Sequence, residues 1–206
     1  LMTIVQQSMD LLRRKPALKQ SPEIMTLVDE ADDAARLGGQ ITQQLLAFAR
    51  QKPMKPEIVS LPEFIERQRG LFERSLGASM SLTTTVAPDV GAIRVDPGQL
   101  TTALINLLVN ARDATGGHGA VQLGVVAIDN SGRGRDRRWP DLPVGRYSAL
   151  SVTDTGHGMT AEIARQAVTP FFTTKADAGG SGLGLSTVDG FVNQSGGALH
   201  VQSSPG

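Results

Sequence analysis

The chain has 206 residues, 40% hydrophobic and 19% charged, enough to bury one medium domain plus a smaller element. Lys plus Arg total 20 and Asp plus Glu total 20, so the net charge of +0 provides no electrostatic footprint for nucleic acid or an anionic lipid surface. With Cys 0, disulfides, thiolate catalysis and cysteine-held metals are excluded, and a reducing compartment is expected; no apolar run has the length of a membrane span or the pattern of a signal peptide.

Residues 1–52 predict a helical hairpin. A short first helix carries Leu1, Ile4 or Val5, Ser8 and Leu11 or Leu12 on one face, and Pro16 and the segment at 19–22 break it. The second helix carries Ile24, Leu27, Ala31, Ala34, Gly38, Ile41, Leu45 and Phe48 in alternating steps of three and four, a heptad seam. Gly38 and Gly39 each cost roughly 1 kcal/mol of helix propensity relative to Ala, which close approach of a neighbouring helix would explain. Such a hairpin buries its seam either against a second copy, as a four-helix bundle, or against the main domain. The mid-helix start at Leu1 and the end at Ser203-Ser204-Pro205-Gly206 are expected of a piece of something longer.

Pro53 and Pro56 mark a linker over residues 53–57, and a second domain is expected over 58–206. Ser60 to Glu63 has the spacing of a capping box for a helix bearing Phe64, Ile65, Gln68, Leu71 and Phe72 and stopping at Gly77. Met80, Leu82, Thr84 and Val86 alternate like a half-buried strand, and Ile93 and Val95 suggest another. Asp96-Pro97 supplies an N-cap with proline at the first helical position. In the helix that follows, Leu100, Ala103, Leu104, Leu107, Ala111 and Ala114 form an apolar stripe, while Asn106, Asn110 and Asp113 share another face. Two carboxamides and a carboxylate in one row can hold a metal and a polar ligand. Strands are expected at Val121, Leu123 and Val125 and from Tyr147 to Thr153. The polar loop between them, with Arg133, Arg135, Arg137, Arg138 and Trp139, reads as a solvated hairpin tip in preference to an arginine docking surface.

The remainder is rich in glycine. Asp154-Thr155-Gly156-His157-Gly158-Met159 leaves a strand end, where a carboxylate flanked by glycines suits an exocyclic amino group and a ring edge. Thr160 caps a short helix. Pro170 to Lys175 leads into Ala176 to Ser181, with the composition of a lid. Gly180, Gly182 and Gly184 then open a helix marked by Leu185, Val188, Phe191 and Val192 and ended by Gly196-Gly197, and the exposed backbone N–H groups of such an opening suit phosphate. The glycine spacing matches neither the P-loop nor the dinucleotide fingerprint.

Taken in order, NLLVNARDA, DTGHGM, PFFTTK and GSGLGLSTV resemble the four nucleotide-binding boxes of two-component sensor histidine kinases, whose catalytic domain belongs to the wider family of gyrase-like and chaperone-like ATPases. The stretch ITQQLLAFAR at Ile41 to Arg50 is similar to part of that family's dimerisation and phosphotransfer domain, and the hybrid or nitrogen-regulator-like branch is the nearest in pattern. The resemblance implies an α+β fold, a two-layer α/β sandwich of the Bergerat type with a mixed sheet backed by helices, preceded by the helical hairpin. It implies ATP and Mg2+ as ligands. By position, Asn110 would hold the magnesium and Asn106 support it, with Asp113 completing the row. Asp154 would accept from the adenine amino group, with Gly156 and Gly158 allowing close approach. Phe171 would anchor the lid, Thr173, Thr174 and Lys175 would approach the phosphates, and Gly180, Gly182, Leu183 and Gly184 would cradle them. Catalysis would rest on Asn106 and Lys175, by positioning and charge neutralisation.

Hydrolytic relatives place a Glu four residues before the metal-binding Asn; here that residue is Asn106, a poor general base, which favours transfer to another acceptor over hydrolysis. The family's phosphoacceptor histidine has no counterpart at its usual place, and neither His118, His157 nor His200 substitutes for it. The expectation is the cytoplasmic catalytic core of a protein-histidine kinase that serves a response-regulator receiver domain and dimerises through the hairpin, with no nucleic acid or membrane contact. The competing expectation is a non-catalytic, nucleotide-sensing adaptor, and a third is an ATP-driven conformational machine.

Overall fold

The computed structural model describes residue 12 and residues 24–32, 54–130, 142–175 and 180–206. The chain divides into two compact units, Leu1–Lys52 and Pro53–Gly206. In the first unit residues 24–32 are helical, with Val28 and Asp32 buried. Ile24 and Leu27, expected in the seam, are 40% and 64% exposed. The rest of the expected hairpin, the arginine loop with Trp139 and lid residues 176–179 lie outside the described residues.

The second unit opens with strand β1 (Glu57–Ser60), which runs directly into helix α1 (Leu61–Leu76). The expected linker over 53–57 thus ends inside a strand. The expected capping box is absent too: Ser60 occupies the N-cap position but its side chain makes no cap hydrogen bond. As the last residue of β1, Ser60 is paired with Ala92, and the helix starts at Leu61 with Pro62 in its first turn. Helix α1 buries Leu61, Phe64, Ile65, Phe72 and Leu76 and ends at Gly77, whose φ of 90° is open to glycine. Each of the fully buried Phe and Leu side chains contributes about 1.5–3 kcal/mol of transfer free energy.

Strands β2 (Met80–Val86) and β3 (Ala92–Val95) precede helix α2 (Pro97–Ala114), and β4 (Gly119–Asn130) and β5 (Gly145–Asp154) follow it. β1 and β3 form an antiparallel pair, while β2, β4 and β5 form a three-stranded mixed sheet with β4 in the centre. β2 runs parallel to β4, Met80 opposite Gly119, and β5 runs antiparallel to β4, Val121 opposite Asp154. A parallel pair needs a long crossover, and α2 lies within it. The inner face of β4 presents Val121, Leu123 and Val125, each at most 1% exposed, to the helical layer. Helix α2 meets them with Leu100, Ala103, Leu104, Leu108 and Ala111. Leu108, not the expected Leu107, is the fully buried one; Leu107 lies at the edge of the stripe, packed against the core but half-buried.

The N-cap of α2 is as expected: Asp96 accepts from the backbone N–H of Gly98 at 2.9 Å and Gln99 at 3.0 Å. It also accepts from the N–H of Lys55 at 2.9 Å, which ties the start of the unit to this helix. These bonds, Lys55 first, hold its carboxyl below the ordinary 3.8 while partial burial opposes them. Helix α3 (Ala161–Gln166) is capped by the Thr160 hydroxyl, and helix α4 (Gly184–Gln194) packs on α2 with Ser186, Val188 and Phe191 buried. Residues 197–206 have no regular secondary structure and His200 is exposed. Among the described residues, no helix is long and apolar enough to cross a membrane.

Candidate functional site

The packing of α4 on α2 builds the centre of the site. Gly184, first residue of α4, faces the polar row so closely that a side-chain carbon there would lie 3.6 Å from Asn110 Nδ2 and 4.0 Å from Asn106 Cβ. The first-turn N–H groups of a helix have no acceptors within it. Here that turn opens beside two half-buried carboxamides. An anion at α4 and a cation at Asn110 would therefore be neighbours, which is the arrangement a metal-bound phosphate needs.

The lid reaches the same helix. Lys175 Nζ lies 3.3 Å from Asp113 Oδ2, and the other carboxylate oxygen accepts from Arg112 Nε at 3.1 Å and Nη2 at 2.9 Å. Arg112 also donates from Nη1 to the Ser75 carbonyl at 3.1 Å, near the end of α1. The two described ends of the lid are stitched together, by Phe171 N–H to the Gly182 carbonyl at 2.9 Å and Gly180 N–H to the Lys175 carbonyl at 2.9 Å. Gly182 has φ +65°, and a side chain there would overlap the backbone of Phe171 and Phe172. Phe171 was expected to anchor the lid. Its ring is 50% exposed and its φ is 69°, so it is the backbone bond to Gly182, not a buried ring, that fastens this end. The Thr173 hydroxyl accepts from the Lys175 N–H at 3.0 Å, and Leu183 is buried.

Asp154 stands at the end of β5, exposed, with Oδ1 accepting the Gly156 N–H at 2.9 Å. The loop then crosses the end of α2. A side-chain carbon on Gly156 would come within 2.5 Å of the Ala114 backbone, and His157 N–H donates to the Ala114 carbonyl at 3.1 Å. Only glycine permits that contact. Beside the loop is a cavity of about 380 Å³, walled by His157, Gly158 and Met159 of the loop, Thr160 and Ile163 of α3, Thr174 and Lys175 of the lid, and Pro205. Its volume is that of a small-ligand site. Asn106, Asn110 and Asp154 do not line it. Lys175 belongs both to the cavity wall and to the ion pair with Asp113, and so connects the two halves of the site.

Arg112, Ile163 and Pro205 were not singled out from the sequence. Ile163 had one signal, as the apolar residue of the otherwise small and polar turn Ala161–Gln166 directly after the DTGHGM box. Arg112 had none beyond its place next to Asp113. Of the histidines, Nδ1 of His118 meets the Gly116 carbonyl at 3.0 Å and Nδ1 of His157 the Gly158 carbonyl at 2.8 Å.

Residues 95–206 match the family described as histidine kinase-, DNA gyrase B-, and HSP90-like ATPase. The chain is 34% identical over 207 residues to the sensor kinase CckA of Brucella abortus, covering 100% of this chain and 21% of that protein. It is 34% identical over 195 residues to the sensor histidine kinase ZraS of Klebsiella oxytoca, covering 94% of this chain and 38% of that protein. The chain thus spans well under half the length of either relative. In fold it is similar to full-length ShkA, a structure in complex with AMPPNP, with a TM-score of 0.64 at 22% identity over 99% of this chain and 41% of that one.

Proposed function

The chain belongs to the histidine kinase-, DNA gyrase B- and HSP90-like ATPases, as an ATP-binding catalytic core of the sensor histidine kinase type, and from that membership we propose that it transfers the γ-phosphate of ATP to a histidine. The phosphate then passes to an aspartate of a response-regulator receiver domain. The observation that carries this reading is the meeting of the glycine-opened helix α4 with Asn110 and Asn106. Phosphoryl transfer asks little covalent chemistry of a protein and much positioning of charge, and that meeting supplies it.

The residues fit a magnesium ion: Asn110 offers a neutral oxygen, the ligand type magnesium takes alongside phosphate oxygens and water. Bound there, the ion would supply positive charge to offset that of the phosphates. Gly180, Gly182, Leu183 and Gly184 bring backbone to the phosphates, and Thr173, Thr174 and Lys175 close over them. Asp154 accepts from the adenine amino group, and Gly156 and Gly158 let the base come close to the backbone. Asn106 holds the row in place without activating water, since a carboxamide cannot take up a proton at neutral pH. The acceptor is a histidine outside these residues. Nδ1 of His118 and of His157 is turned onto a local carbonyl, and His200 has no helical setting. The protein acts in the cytoplasm as a homodimer joined through the hairpin, with the exposed Ile24 and Leu27 supporting that pairing. A decayed, nucleotide-sensing adaptor is not favoured, because the polar row and the lid lysine are intact.

Calorimetric titration with a non-hydrolysable ATP analogue, with and without magnesium, tests the reading. Magnesium should strengthen binding, and Asn110→Ala should remove that gain, weakening binding in magnesium by about tenfold or more. An undiminished magnesium effect in the variant would rule out Asn110 as the metal ligand. No binding by the unsubstituted chain would rule out the kinase reading.

A further inference from the structure

Asp113 had been expected among the groups that bind nucleotide, but both of its oxygens are already committed. Oδ1 is clamped by Arg112, itself fixed to the Ser75 carbonyl, and Oδ2 faces the lid cation Lys175 at 3.3 Å. A carboxylate held in place from behind and paired at the front is poorly suited to take part in binding a polyphosphate, which it repels. It is well suited to hold the one lid cation that lines the cavity on its described side. We propose that Asp113 is a specificity residue that competes with the nucleotide phosphates for Lys175, so that a ligand must bring enough negative charge to draw the lysine away.

Three observations support this. The lysine and aspartate side chains are 32% and 34% exposed, so the pair is weak and screened, easily exchanged for a more highly charged partner. The Lys175 backbone is tied on both sides, its N–H to Thr173 and its carbonyl to Gly180, so the side chain can change partner while the backbone stays in place. Arg112 is not free to follow, because it is shared between Asp113 and α1. The competition therefore involves a single flexible cation. Adenosine, with no phosphate, leaves the pair untouched; each added phosphate contends for Lys175 with greater charge.

The inference rests on the nucleotide reading above and is tested separately from it. Binding of adenosine, ADP and the non-hydrolysable ATP analogue is measured for the unsubstituted chain, Asp113→Asn, Lys175→Gln and the double variant. Asp113→Asn keeps the size and one acceptor oxygen for Arg112 while removing the charge that holds Lys175, and circular dichroism checks that it folds. It should tighten the ATP analogue by roughly two- to five-fold, the range of an exposed ion pair, leave adenosine unchanged, and lose its effect when Lys175 is also replaced. The inference is overturned if Asp113→Asn binds the analogue no better or less well, if adenosine shifts equally, or if the effect survives in the double variant. Were the unsubstituted chain to bind neither nucleotide, the kinase reading and this inference would fall together.

Discussion

Asp154 shows how one side chain can carry selectivity while contributing little to the fold. It is exposed at the end of β5, and its bond to the Gly156 N–H uses one oxygen and sets the turn, which leaves the other oxygen facing outward. A carboxylate only accepts, whereas an amide of the same shape presents a donor on one side. Asp154→Asn should therefore weaken ATP binding by about 1–3 kcal/mol and narrow the preference for ATP over GTP, read by competition titration with both. Equal losses for the two nucleotides would remove Asp154 from adenine recognition. Single-residue features of this kind were readable in the sequence where their chemistry was local. The strand-end carboxylate with its bond to Gly156 and the Thr160 cap rest on neighbours within a few positions, whereas the close approach of Gly156 to Ala114 joins the loop to α2 across the sequence. The Lys175–Asp113 pair was not readable, because it joins two residues that only the packing of the lid against α2 brings together.

Elements were legible to the extent that their periodicity and punctuation agreed. Strand β2 alternates over its whole length, and Asp96-Pro97 announces α2 by cap and proline together. Strand β1 was missed: it has four residues, two of them exposed before a buried Val59, and it begins at Glu57, inside the stretch that Pro53 and Pro56 mark as a linker. The choice between Leu107 and Leu108 depends on which side of the α2 stripe the sheet covers, a tertiary fact that helical spacing alone leaves open. The Asp96 cap predicts a stability effect with a definite pH dependence. Asp96→Ala should cost about 1 kcal/mol at neutral pH, seen as a lower urea midpoint. Because its carboxyl titrates below the ordinary 3.8, the contribution is present above that pH and is lost as pH falls through the lower folded value. The gap between variant and parent should thus shrink in acid. An equal gap at pH 7 and pH 3 would mean that the carboxylate charge does not act through the cap.

Across the chain, the two units divide the work as their exposed surfaces suggest. The helical stretch at 24–32 keeps Ile24 and Leu27 outside, and Leu27→Asp should shift the chain toward monomer in sedimentation without altering affinity for the ATP analogue. An unchanged dimer, or a monomeric parent, would remove the seam from the proposed assembly. The order of the motifs revealed the fold family, but the wall formed by Pro205 and the position of the cavity beside α3 depend on chain segments far apart in sequence. The parallel register of Met80 opposite Gly119 has one further effect. Strand β2 can join β4 only when the whole crossover between them closes, and the chain entropy of that closure must be met before the sheet repays it. Helix α2, with β3 before it, lies in that crossover and carries Asn106, Asn110 and Asp113. Seating β2 beside β4 therefore also seats the helix that carries the polar row, so a change that loosens this crossover should reach the site as well as the fold.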